Sequence, residues 1–170
     1  MNKSHPLKSP VLLEGSHIAE DFDCGVESLN AYLKKFACIN NQNNSARTYA
    51  ATRNNKVVGY YTLTLGSVTK KESPGRIGKG LANHPIPVII LARLAVDRNE
   101  QKTGLGKGLL RDTLLRVITA ADIIGCRALL VHAKDNQAKS FYEHFGFEPS
   151  PVDQFHLYLL LKDIKKTLGL

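Results

Sequence analysis

Apolar side chains recur along this chain at two spacings, and the spacing changes several times. Between Asp23 and Asn40, Leu29, Leu33, Phe36 and Ala37 fall at i, i+4, i+7 and i+8. That is the mark of an amphipathic helix, opened by an Asp and carrying Lys34 and Lys35 on its other side. Arg47–Thr52 and Lys56–Leu65 are rich in Val, Tyr and Thr and flank Asn54-Asn55, which predicts a hairpin. Pro87–Val96 is a nearly continuous apolar run, the pattern of a central strand covered on both faces. Helical spacing returns at Leu110, Leu114, Val117, Ile118, Ala121 and Ile124 and stops at Gly125. Arg127–His132 reads as a strand, Asn136–His144 as a short helix closed by Gly146, Phe155–Leu161 as a last strand and Lys162–Lys166 as a charged tail. This order predicts an α/β fold with a mixed central sheet flanked by helices. Without repeats or linkers, residues 1–170 are expected to form a single domain.

Gly66–Pro87 breaks the pattern. It holds four glycines and three prolines, with Lys70, Lys71, Arg76 and Lys79 against Glu72 alone. A long basic stretch lacking apolar periodicity reads as a functional or mobile loop, with a plain disordered connection as the alternative.

Composition narrows the possible settings. The chain has 43% hydrophobic and 22% charged residues, ordinary for a globular protein. Cys24, Cys38 and Cys126 are odd in number and far apart, fitting neither a disulfide framework nor a zinc spacing. No secretory signal pattern opens the chain and no apolar run approaches membrane-spanning length, so a cytoplasmic location without membrane contact is expected. Lys plus Arg outnumber Asp plus Glu by 23 to 15, a formal +8. Such an excess attracts phosphate-bearing polyanions.

Candidate chemistry begins where the apolar strand gives way to glycine. Leu91–Leu110 reads LARLAVDRNEQKTGLGKGLL. A Gly-rich turn opening a helix places free backbone N–H groups where the helix dipole also favours anions. A P-loop would need Ser or Thr after Lys107, which is followed by Gly108. A dinucleotide fingerprint would need G-x-G-x-x-G, whereas Gly104, Gly106 and Gly108 run G-x-G-x-G. An ordinary strand-to-helix turn would carry the same glycines. What remains, Gln101-x-x-Gly104-x-Gly106, resembles the turn with which GNAT acyltransferases hold the pyrophosphate of acetyl-coenzyme A. About thirty residues on, DNQAKSFYEHFGF resembles a second GNAT motif, matching at Ala138, Phe141, Tyr142, Gly146 and Phe147. It departs from the family at Asp135, where Asn is usual, which puts that residue's usual cofactor contact in doubt. FDCGVESLNAYLKKFA, VVGYYTLTLGSV, IPVIILARLAVD and RALLVHA extend the resemblance across nearly the whole chain, towards the GNAT toxins of bacterial toxin–antitoxin pairs, the TacT/AtaT type.

The resemblance implies a fold, a reaction and partners. The fold is a single GNAT domain; the reaction moves acetyl from acetyl-CoA to the α-amino group of aminoacyl-tRNA, blocking translation, with no metal. Tyr142 is the implied general acid. The main chain of Leu94, Ala95 and Val96 meets the pantetheine arm. Gln101, Lys102, Thr103, Gly104, Leu105, Gly106 and Lys107 wrap the pyrophosphate, and Ala138 and Phe141 also face the cofactor. Implied partners are a ribbon-helix-helix antitoxin, operator DNA through the antitoxin complex, and a second copy of the chain as a homodimer. The alternatives are a GNAT enzyme acting on a protein N-terminus, a lysine or a small amine, and a non-catalytic module that binds acyl-CoA or RNA.

Among charged residues, Lys34, Lys35, Arg47, Arg76, Lys79 and Arg93 are candidates for RNA phosphate. Arg93 lies inside an apolar strand, where a lone charge is costly. It is expected either to meet a buried carboxylate or to point into the acceptor cleft. His132, at the end of a strand, is read as a hydrogen-bonded structural histidine, with a general base as the alternative. Cys126 is read as a buried, inert thiol.

Overall fold

Asn54 and Asn55 both adopt left-handed backbone angles, φ 47° and 65°, in the computed structural model, which describes residues 5–170. A two-residue turn of that kind matches the twist of the strands it joins. Strand β1 (Leu7–Leu12) pairs antiparallel with β2 (Arg47–Arg53), and the asparagine turn returns β2 into β3 (Lys56–Val68). Between β1 and β2 runs a helix made of α1 (Glu27–Ala31), a π-helical turn Tyr32–Phe36, and α2 (Ala37–Gln42). After β3 come the short α3 (Gly75–Gly78), β4 (Ile86–Val96) and the twenty-residue α4 (Leu105–Ile124). The chain ends with β5 (Ala128–His132), α5 (Asn136–His144), β6 (Glu148–Pro149), β7 (His156–Leu160) and α6 (Leu161–Thr167). The seven strands form one mixed sheet in the order β1-β2-β3-β4-β5-β7-β6. Among the described residues, no helix is long and apolar enough to cross a membrane.

The chain folds as two compact units, the first taking in the chain up to Thr64 together with Ala92–Thr113. In it the helix lays Tyr32, Leu33 and Ala37 against Ala50, Val57 and Tyr60 of the hairpin, joined by Phe22 and Ala95. Each large apolar side chain buried this way stabilises by about 1.5–3 kcal/mol. Thr48 and Thr62, directly opposite in the ladder, bury their hydroxyls against each other at 2.8 Å. The start of α4 lies close over β3. A Cβ at Gly59 would stand 3.0 Å from Leu109, 3.2 Å from Leu105 and 3.4 Å from the Ala95 carbonyl.

Two readings of the first helix are corrected. It opens at Glu27 rather than at Asp23, whose carboxylate accepts from Gly25 N–H (2.8 Å) and Asn30 Nδ2 (3.0 Å). Phe36, expected on the apolar face, is 53% exposed while Leu33 and Ala37 are buried. The π-helical turn inserts one extra residue, so the stripe slips past Phe36. Lys34 and Lys35 are exposed, as the periodicity predicts.

The second unit comprises Leu65–Leu91 and Leu114–Leu170. Here β4 pairs in parallel with β5 from Val88↔Ala128 to Leu91↔Val131, and β7 lies antiparallel between β5 and β6. Val68, Ile77, Ile86, Val88, Leu130, Tyr158 and Leu160 form its core. Ile77 belongs to Gly66–Pro87, so this segment is packed rather than a loose loop. The guanidinium of Arg127 donates to Ile77 O (2.7 Å) and Lys79 O (3.1 Å), Ser150 Oγ donates to Glu72 O, and Arg76 pairs with Glu148 and with Asp163 (2.8 Å). The partners that hold it lie some fifty to ninety residues away, which is why local periodicity missed them. The charged tail is likewise a helix, α6, because Ile164 is fully buried beneath its cations. Ile124 is the opposite case: it lies in the last turn of α4, exposed like its neighbour Ile123.

Candidate active site

The first unit builds a turn at the end of β4. Asp97 donates its N–H to Val58 O (2.9 Å), and its carboxylate accepts from Asn99 N–H (2.9 Å), capping the 3₁₀ turn Arg98–Glu100. Glu100 is buried and takes the Arg53 guanidinium at 2.7 Å, an ion pair with no local sequence signal. The backbone then turns left-handed at Lys102 (φ 62°) and at Gly104 (φ 91°). Gly104 tolerates that angle without strain; a residue with a Cβ does not. Thr103 Oγ1 donates to Glu100 O. Gly104 O accepts from Gly108 N–H at 3.0 Å, which starts α4 and leaves the N–H groups of Leu105, Gly106 and Lys107 without acceptors in the helix. Leu105 is buried, whereas Lys102 and Lys107 are exposed. A Cβ at Gly104 or Gly108 would meet nothing within 4 Å. Donor N–H groups, a helix N-terminus, two cations and open backbone fit a diphosphate.

The side chain of Gln101 is otherwise engaged. Its Nε2 donates to Cys24 O (3.0 Å) and Val96 O (2.9 Å), stapling the turn to the end of β4. Ala95 is buried in the core, and Leu94 and Val96 are half-buried, so main chain is what this stretch offers a ligand.

Arg93 meets no carboxylate among the described residues. Its guanidinium lies 3.7 Å from the centroid of the Tyr32 ring, a cation–π contact that compensates a half-buried charge without a carboxylate. Asn40 Nδ2 donates to Tyr32 Oη at 3.1 Å and steadies the ring. Tyr60 donates its hydroxyl to Leu29 O (2.7 Å), and burial pushes its pKa up. Sequence reasoning missed Tyr32 because the contact joins residues sixty-one positions apart. Arg47 also serves the protein, donating to Asn41 O and Asn44 Oδ1, both at 2.7 Å.

In the second unit, Asp135 caps α5: its carboxylate accepts from Ala138 N–H at 2.8 Å. The residue that departs from the family pattern therefore does the helix-capping work that Asn also does. Two turns on, Tyr142 is 7% exposed, edge-on to Phe141 and Phe147 with centroids 5.1 and 5.3 Å away. Its hydroxyl has no hydrogen-bond partner among the described residues. Burial raises its pKa above the ordinary phenol value. Here, then, is a phenol held protonated in an aromatic wall. Lys79 is exposed, and Arg76 is tied to its two carboxylates.

His132 is exposed and stacks on His156 (centroids 3.9 Å apart, planes 15° apart), with no side-chain hydrogen bond among the described residues. Partial burial of the ring against its neighbours, then His156, lowers its pKa. Burial raises the pKa of the Cys126 thiol, which donates to Ala128 O at 3.2 Å, as an inert thiol does. Among the described residues, no three His, Cys, Asp or Glu side chains are grouped to hold a metal ion.

Residues 44–149 match the family model described as an acetyltransferase (GNAT) domain. The chain belongs to the GNAT family. This GNAT protein is 48% identical over 148 residues to the tRNA-acetylating toxin of Mycobacterium tuberculosis, covering 87% of this chain and 89% of that protein. Among solved structures, AtaT complexed with acetyl-methionyl-tRNAfMet superposes with a TM-score of 0.88 at 29% identity, covering 96% of this chain and 99% of that one. A tyrosine-to-phenylalanine variant of AtaT, bound to the C-terminus of the antitoxin AtaR and acetyl-CoA, superposes at 0.82 and 27% identity, covering 97% and 99%.

Proposed function

We propose that this chain, acting as one acetyltransferase domain, moves acetyl from acetyl-CoA to the α-amino group of aminoacyl-tRNA. The observation that carries the acceptor is the 48% identity to a tRNA-acetylating toxin along most of both chains. In this reading, Lys102–Lys107 hold the diphosphate with N–H groups, aided by the two lysines, and the main chain of Leu94–Val96 aligns the pantetheine arm, with Ala138 and Phe141 beside it. One Leu94–Val96 N–H polarises the carbonyl under attack. Bound there, acetyl-CoA supplies an activated acyl thioester.

Tyr142 holds the proton. Burial keeps its phenol neutral throughout the physiological range, so Oη donates to the departing sulfur, a role worth about 10²–10⁴ in rate. An α-amino group near ~7.7–8.0 is partly neutral at pH 7.5, whereas a lysine near ~10.4 is almost wholly charged, so an α-amine can attack without a strong base. Arg93 and the exposed Lys34, Lys35 and Lys79, with Arg47, are the cations offered to RNA phosphate, whereas Arg76 is engaged by Glu148 and Asp163. Partnership with an antitoxin, with operator DNA through it, and with a second copy belongs to the same proposal, as does a cytoplasmic site of action.

The test incubates the protein with labelled acetyl-CoA and charged total tRNA, beside deacylated tRNA and a lysate of protein acceptors, with Tyr142→Phe as control. Label should enter charged tRNA alone, leave as acetyl-amino acids on mild alkaline deacylation, and fall at least a hundredfold in the variant. Label in lysate protein but not in charged tRNA would overturn the acceptor while leaving the acetyltransferase standing.

A further inference from the structure

The turn does not stand alone: a three-residue strap, Asp23–Cys24–Gly25, is laced to its first half, from Asp97 to Gln101. Asp23 N–H donates to Asp97 Oδ2 (3.1 Å), and Arg98 N–H returns a bond to Asp23 O (2.8 Å). Arg98 Nε sits 3.2 Å from Asp23 Oδ2, and Gln101 Nε2 reaches Cys24 O at 3.0 Å. From the other side, Asn30 of α1, 5% exposed, accepts from Cys24 N–H (2.9 Å) and donates to Asp23 Oδ1 (3.0 Å). Bonds from Asn30 and from Gly25 N–H hold the Asp23 carboxyl below its usual range, aided by Arg98. Gln101, the last residue that the strap holds, directly precedes the left-handed turn through Lys102 and Gly104.

We infer that the Asp23–Gly25 strap is a positioning device for the donor's diphosphate, with Gln101 and Asn30 as its positioning residues, so that α1 is set by the same bonds that set the donor turn. The inference rests on reading Lys102–Lys107 as the diphosphate site. It makes a demand that a general structural role does not: loosening the strap harms only donors that carry the diphosphate.

Gln101→Met keeps the length of the side chain and removes both donated bonds; Gln101 is exposed, so the fold tolerates it. Calorimetric Kd for CoA should rise about tenfold, the scale of two lost hydrogen bonds, while Kd for pantetheine, which lacks the diphosphate, stays within about twofold. Kinetically, the ratio of kcat/KM for acetyl-CoA to that for S-acetylpantetheine should fall about tenfold. Asn30→Ser, acting from the far side of the strap, should move the same ratio in the same direction; if it fails to fold, Asp23→Asn takes its place. Equal weakening of both ligands, or no change for either, overturns the inference. The CoA measurement needs no acceptor. A wild-type protein that binds CoA tightly but leaves aminoacyl-tRNA unmodified sinks the acceptor reading and leaves the strap to be judged by calorimetry.

Discussion

The turn from Gln101 to Lys107 and the segment from Lys70 to Pro85 look alike in the sequence: both are rich in glycine and lysine, and both join a strand to another element. Their cations have different fates. In the first, Lys102 and Lys107 are exposed beside backbone N–H groups at the head of a twenty-residue helix. In the second, Arg76 is taken by Glu148 and Asp163, Lys70 donates to Leu81 O, and Ile77 is driven into the core. Glycine and positive charge do not by themselves make a phosphate site. What separates the two is whether the main chain ends in unsatisfied donors and whether carboxylates from elsewhere reach the cations first.

The comparison can be broken at four points. Ile77→Ala should cost about 2–5 kcal/mol in denaturant unfolding, because Ile77 is a packed core residue. A cost near zero would return the segment to a loose loop. Gly104→Val places a β-branched residue at φ 91°, about 1–3 kcal/mol of backbone strain, so Kd for CoA should weaken roughly ten- to a hundredfold with little loss of secondary structure. Unchanged affinity would remove the turn from the donor site. Arg76→Ala frees two carboxylates and should lower the thermal midpoint by a few degrees while leaving the KM for acetyl-CoA alone. A raised donor KM would mean that the second segment also serves the donor. The smallest expected effect is none: a phenol raised above its unfolded value of ~10 stays protonated through neutral pH. Its contribution to stability is therefore complete below about pH 10 and declines only as pH climbs through the higher folded value. The kcat profile between pH 7 and 9 should show no falling limb that Tyr142→Phe abolishes.

Much of the local chemistry was legible. The Asn54-Asn55 hairpin, the stops at Gly125 and Gly146, and the bounds of α5 follow from neighbours in sequence, and both GNAT motifs lie where strand gives way to helix. Longer reach was not. Asp23 looks like a helix cap and instead serves Asp97; Arg93 looks like half of an ion pair and lies over Tyr32; Arg53 reaches Glu100. Phe36 failed for another reason: a π-helical turn changes the helical period itself, and no apolar stripe announces it. In each case the deciding partner is tens of residues away or the spacing rule is locally suspended.

Gly59 has a consequence beyond its strand. With only a hydrogen there, β3 lets Leu105 and Leu109 settle to within about a methyl's width. A larger residue would act as a wedge under the first two turns of α4. The groups displaced most would be the amides that begin it. The placing of those amides thus depends on an atom too small to reach them.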